Sequence, residues 1–268
     1  PIMKLDEGNK RKLSKRKDPE AAVSYYSQLG YPKDSVLEYL MTLANSNFED
    51  WRRANPDAPL SAFPFNIKKM SQSGALFDLL KLNDVSKNVI SKMPAEEVAS
   101  LVLQWSREYD PELYSIIKDD EKYLTSIFSI DRGGKKPRKD IAMWSEVKDY
   151  ISYFYDSLFK PDYNLPENIR PEDAKAICKA YVKVFDATDD KDTWFNKIKG
   201  ICPELGFCPD VKAYKADPAG YKGHVGDVAS VIRLAVTGRL NTPDLHSILS
   251  LLGQERAVNR LNSFSESI

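Results

Sequence analysis

At 268 residues, with 39 Lys and Arg against 39 Asp and Glu and 42% hydrophobic residues, the chain has the composition of a globular protein with two or three cores and no net charge. Zero net charge excludes a general polyelectrolyte attraction, so any affinity for nucleic acid must come from local patches. No apolar run approaches bilayer-crossing length and no signal peptide is visible; three cysteines fit a reducing, cytoplasmic setting better than a secreted disulfide framework.

Pro1 to Leu5 reads as a short strand and Asp6-Glu7-Gly8-Asn9 as a tight turn, which places a basic run on the far side of a hairpin or loop. That run, Asn9-Lys10-Arg11-Lys12-Leu13-Ser14-Lys15-Arg16-Lys17, holds six cations within eight residues. From Asp18 the signals become helical: Asp18 as N-cap, Pro19 at N1, then Ala22, Val23, Tyr26 and Leu29 on one side and Gly30 as the stop. Pro32 to Leu43 repeats the pattern, Asn45 to Asn55 reads as a short polar helix, and the proline-rich stretch from Pro56 to Phe65 as loop. In the cluster Met70 to Leu82, helical spacing sends Phe77, Leu80 and Leu82 into a core.

Pro94 to Tyr109 and Pro111 to Ile130 read as two long amphipathic helices, the second broken near its middle by Asp119-Asp120-Glu121. Asp131 to Asp140 is a Gly- and Pro-containing loop that carries Arg132, Lys135, Lys136, Arg138 and Lys139. Such a loop can aim cations at phosphates or base edges. Ile141 to Phe159 reads as an aromatic helix with Trp144, Phe154 and Leu158 inward, its tyrosines being candidates for stacking on unpaired bases. Pro161 to Pro171 reads as a linker and domain boundary. Beyond it come helices at Pro171–Ala187, Asp192–Leu205 and Val225–Val236, one capped by Thr242-Pro243-Asp244 that stops at Gly253, and a last one from Glu255 to Asn262.

The basic run has the chemistry of a phosphate clamp: Lys12 and Lys15 flank the small Ser14, and such a pair stabilises charge on a transferring polyphosphate. No metal site is expected. Cys178, Cys202 and Cys208 lack the short Cys-x2-Cys hook and are read as buried thiols, while His224 and His246 lack the partners of a catalytic triad.

Lys12-Leu13-Ser14-Lys15-Arg16 resembles the KMSKS signature loop of class I aminoacyl-tRNA synthetases, in the form usual for glutamate–tRNA ligases. Phe77-Asp78 with Lys81-Leu82 is similar to a segment that those ligases carry downstream of the loop. The stretch Arg233-Leu234-Ala235-Val236-Thr237-Gly238, followed by Pro243-Asp244-Leu245, Leu252-Gly253 and Arg260-Leu261, is similar to their terminal helices. The resemblance implies a mainly α fold, with a helical stem-contact region followed by a helix-cage-like anticodon-binding region and a short N-terminal strand and loop. The expected divisions are 1–17 (end of the catalytic domain), 18–93 (stem contact), and 94–165 and 166–268 (two anticodon-binding subdomains).

It also implies a reaction in which glutamate is activated with ATP, Mg2+ accompanying the nucleotide, and is then joined to tRNA. Lys12, Ser14 and Lys15 would be catalytic, with Lys15 and Arg16 at ATP. Arg132, Lys135, Arg138 and Lys139, with Arg233 and Arg239 second, would contact tRNA. The His-Ile-Gly-His-like element and Rossmann fold that the KMSKS loop works with are not found in the sequence, so the expectation is the C-terminal half of a monomeric ligase, without full catalysis by itself. A stand-alone helical RNA-binding module and a protein-interaction scaffold are the alternatives.

Overall fold

The computed structural model describes residues 1–268, and its contacts divide them into two compact units, Pro1–Tyr150 and Ile151–Ile268. That division falls ahead of the proline-rich stretch 161–171 where the sequence places a boundary.

In the first unit, β1 (Ile2–Asp6) pairs antiparallel with β2 (Asn9–Lys12) and parallel with the two-residue β3 (Ala75–Leu76), giving the order β2-β1-β3. Glu7 and Gly8 both take positive φ, 48° and 83°. Two successive left-handed residues are what a tight hairpin needs to follow the twist of its strands. The basic run therefore lies on β2 and the loop beyond it.

The helix expected from Asp18 is two pieces. A 3-10 turn, Pro19–Ala21, is separated from α1 (Val23–Leu29) by Ala22, whose extended backbone (φ −101°, ψ 136°) breaks the repeat and leaves Val23 exposed. Helices α2 (Lys33–Ala44), α3 (Phe48–Ala54) and α4 (Leu79–Lys92) follow. The Asp78 carboxylate accepts the Leu80 and Lys81 amide hydrogens and so starts α4 inside the Met70–Leu82 cluster. Phe77 and Leu82 join Tyr31 and Tyr39 in a core, but Leu80 faces solvent with 74% of its surface exposed.

Helix α5 (Ala95–Tyr109) packs on α6 (Pro111–Ile117) and α7 (Glu121–Ser129). The single helix expected over Pro111–Ile130 is thus two, because Asp120 accepts the Tyr123 amide hydrogen and opens α7 afresh. The expected helix Ile141–Phe159 is also corrected. It contains one α turn, α8 (Val147–Tyr150), between the 3-10 turns Trp144–Glu146 and Ser152–Phe154. Trp144 and Phe154 are buried as expected, Leu158 is only half-buried, and Tyr153 beside Phe154 is buried too.

The second unit is built from α9 (Pro171–Val182), α10 (Lys191–Leu205), α11 (Val211–Ala216), α12 (Val225–Thr237) and α13 (Leu245–Ser267). Helix α13 is interrupted at Gly253 (φ 76°, ψ 171°), where the sequence places a helix stop. Helix α9 packs on α10, α12 and α13, burying Ala174, Ile177, Cys178 and Tyr181 with Val228, Val231, Ile248 and Phe264. No helix is long and apolar enough to cross a membrane.

Candidate functional site

The basic run is shaped by one carboxylate. Asp18 is 2% exposed and accepts four hydrogen bonds: from the Ser14 amide at 2.7 Å, from Arg11 Nη1 and Nη2 at 2.6 and 2.7 Å, and from Lys4 Nζ at 3.4 Å. These donors, Arg11 first, hold its carboxyl well below the usual carboxylate range. Ser14 is the pivot. Its carbonyl accepts the Lys17 and Asp18 amides at 3.1 and 2.8 Å, and its hydroxyl accepts the Arg16 amide at 3.4 Å. Asp18 therefore does not cap a helix, as its position before Pro19 implied: it makes no side-chain cap bond to the 3-10 turn and folds back onto the loop.

Arg11 is consumed by this scaffold, bonding Asp6 at 2.5 Å as well as Asp18. Lys10, Lys12, Lys15, Arg16 and Lys17 remain exposed, and no carboxylate pairs with any of them. Five like charges on β2 and the turn that follows it repel one another, a charge arrangement suited to a polyanion. Lys12 and Lys15, which the sequence singles out, sit on either side of the pivot Ser14.

The second polybasic stretch sorts differently. Arg132 is half-buried and its guanidinium is spent on the chain itself, donating from Nε to Phe128 O at 2.7 Å and from Nη1 to Ile90 O at 2.7 Å and Met93 O at 3.0 Å. These carbonyls close the C-terminal turns of α7 and α4, where the helix leaves acceptors unmatched. Arg138 chelates Asp140 at 2.7 and 2.9 Å. The free cations of this loop are Lys135, Lys136 and Lys139, all exposed. Tyr150, a stacking candidate by sequence, instead lies parallel to Phe128 with ring centroids 6.3 Å apart, and burial pushes its hydroxyl up to about 12.

Arg233 and Arg239 are likewise committed inside the second unit. Arg233 donates to the Thr242 hydroxyl and to Pro243 O at 2.7 Å, tying α12 to the start of α13. Arg239 donates to Ser152 Oγ at 3.2 Å and lies over the Tyr153 ring. Of the six tRNA-contact candidates, only Lys135 and Lys139 are presented without an intramolecular tie. The four arginines have guanidinium donors engaged within the fold, by backbone carbonyls, a carboxylate or hydroxyls.

The three cysteines are free and buried, and no three His, Cys, Asp or Glu side chains converge on a point where a metal ion could be held. His224 accepts the Gly226 amide through Nδ1 at 2.9 Å and caps α12, while His246 Nε2 lies 2.8 Å from Asp189 O.

Residues 212–264 match the family model of an anticodon binding domain. Over 267 residues the chain is 51% identical to the glutamate–tRNA ligase of Clostridium perfringens strain SM101, covering 98% of this chain and 48% of that protein. Nearly the whole chain is thus similar to one half of a glutamate–tRNA ligase. To the ligase of Acetivibrio thermocellus it is 48% identical over 260 residues, again 48% of the relative. The chain thus spans about half the length of these ligases. In fold, it matches a crystal structure of a glutamate tRNA ligase from Elizabethkingia meningosepticum in complex with its amino acid. The TM-score is 0.60 over 99% of this chain and 50% of that one, at 17% identity. These similarities agree with the reading of the helical C-terminal stretch as an anticodon-binding part. Sequence reasoning missed the anchor Asp18 as such. The available signal was a lone acid directly after six cations, read as a cap because Pro19 follows it.

Proposed function

We propose that this chain is the tRNA-gripping half of a glutamate–tRNA ligase whose intact form activates glutamate with ATP and joins it to the 3′ end of tRNA. The observation that carries the reading is the Asp18-anchored turn, which holds Lys12 and Lys15 unpaired on either side of Ser14. In the activation step a carboxylate oxygen of glutamate attacks the α-phosphorus of ATP and pyrophosphate leaves. Ammonium groups fixed where that charge accumulates lower the barrier without reorganising. Lys15, at the exposed apex of the turn, takes the larger share, and Arg16 lies beside it. The backbone of Ser14 sets their spacing.

Mg2+ belongs with the nucleotide's phosphates in this scheme, because this chain gathers no carboxylate cage of its own. The helical remainder grips tRNA as a cytoplasmic monomer, through the Lys135, Lys136 and Lys139 loop and the region that matches the anticodon-binding model. In the full-length ligase, Lys15→Ala is expected to lower the rate of ATP–pyrophosphate exchange by about 100-fold, the loss typical of one transition-state donor, while tRNA affinity stays unchanged. Exchange at the unsubstituted rate would remove the loop from the chemistry and leave the chain as an RNA-binding module.

A further inference from the structure

The helix α9 has two faces of unlike character. Its inner face, Ala174, Ile177, Cys178 and Tyr181, is buried against α12 and α13, the two long helices of the segment that matches the anticodon-binding model. On its outer side Lys175 and Lys179, four residues apart, are followed by Lys183 at the C-cap, again four residues on. Residues at this spacing lie above one another on a helix, about 6 Å of rise apart. Lys179 and Lys183 are exposed and Lys175 is half-exposed.

The acids nearest these lysines are already engaged. The two carboxylates of the first turn are already taken: Glu172 pairs with Arg170 at 3.2 Å, and Asp173 with Arg170 at 2.9 Å and Lys222 at 2.7 Å. Elsewhere in the unit Lys191 is matched by Asp244, Lys197 by Asp189, and both Arg256 and Arg260 by Asp156. Lys175, Lys179 and Lys183 have no such partner. Ala176 and Ala180, between them on the outer side, are short enough not to hold a partner's backbone away.

We propose that this stripe is a phosphate track for RNA, which the α9 helix adds to the anticodon-binding region from outside the segment that matches that model. The inference rests on the reading of the chain as a tRNA-gripping half. Charge complementarity selects the partner: a row of ammonium groups at regular rise, with no aromatic side chain among them, fits a continuous strand of phosphates and offers nothing that reads bases. The track would contribute affinity and orientation, leaving sequence discrimination to other residues.

The test uses the 268-residue chain and a transcript of the glutamate tRNA, with affinity followed by fluorescence anisotropy over a range of salt concentrations. The variant K175Q/K179Q/K183Q is expected to bind more weakly and to reduce the slope of log affinity against log salt by about 2, the release expected for three contacts to a single strand. K175R/K179R/K183R, which keeps the charges, is expected to retain the slope. A slope in the glutamine variant equal to that of the unsubstituted chain overturns the track while leaving the tRNA-gripping reading in place. Failure of the unsubstituted chain to bind the transcript overturns that reading itself. Because the substituted side chains lie on the outer face, unchanged thermal unfolding of the glutamine variant is the control that a lost slope is not lost fold.

Discussion

Asp18 and Arg132 are a pair of opposite lessons about charged residues near a basic stretch. Asp18 is an acid that makes cations available: by engaging Arg11, Lys4 and the Ser14 amide it fixes the turn on which Lys12 and Lys15 stand. Its folded pKa lies below the ordinary 3.8, so its contribution is complete above that value and is lost as pH falls through the lower folded one. The Ser14 amide resonance in NMR is therefore expected to titrate with a midpoint well under pH 3.8. In Asp18→Asn that transition should vanish, and the amides of Ser14 to Lys17 should exchange faster at neutral pH. A midpoint near 3.8 would mean that the carboxylate is solvated and holds nothing. Arg132 is a cation that the fold has used up. Arg132→Ala strips donors from three carbonyls at the ends of α4 and α7 and is expected to destabilise the chain by about 3 kcal/mol in denaturant unfolding. Lys135→Ala, on the exposed part of the same loop, should leave stability within about 0.5 kcal/mol.

At the level of elements, what could be read depended on whether the signal was local. Helix starts and stops marked by a single residue were legible: Gly30 ends α1, Gly253 interrupts α13, and α12 spans almost the residues its periodicity marks out. The segment 141–159 was not, because its aromatic residues suit a helix in composition while tertiary packing buries adjacent rings and leaves one α turn. Nor could periodicity reveal that Leu80 lies outside, since that depends on Asp78 starting the helix where it does. The same limit applies to the site: the cations of both basic runs were visible, but which would be spent on carbonyls and carboxylates depended on contacts distant in sequence. Gly30 illustrates how a local stop acquires a tertiary role. Its φ is +80°, and a Cβ there would stand 2.6 Å from Trp144 Cβ and 2.9 Å from Trp105 Nε1. Trp105 in turn donates to Ser27 O at 3.1 Å, joining α5 to α1. Gly30→Ala combines left-handed strain with a clash and is expected to cost more than about 1 kcal/mol, read as a lowered Tm together with a changed tryptophan emission. An unchanged emission spectrum would mean that the two tryptophans do not close around this turn.

For the molecule as a whole, the balance of 39 basic and 39 acidic residues means that binding to a polyanion must arise where acids are locally absent or already paired. Such places include the turn after β2, the loop of Lys135, Lys136 and Lys139, and the outer face of α9. Affinity built from such exposed contacts falls with salt in proportion to the number of phosphates they neutralise. Chemistry is a separate requirement. An adenylate-forming site must hold the triphosphate from more than one side, and this chain supplies one cationic turn, with no glycine-rich phosphate loop and no convergent carboxylates for a metal. The 268-residue chain alone is therefore expected to bind the glutamate tRNA at low salt, to release it as salt is raised toward physiological strength, and to give no ATP–pyrophosphate exchange above background at any salt concentration. Exchange by the isolated chain would show that Lys12 and Lys15 suffice without a second clamp, and the turn anchored by Asp18 would then be a complete catalytic site.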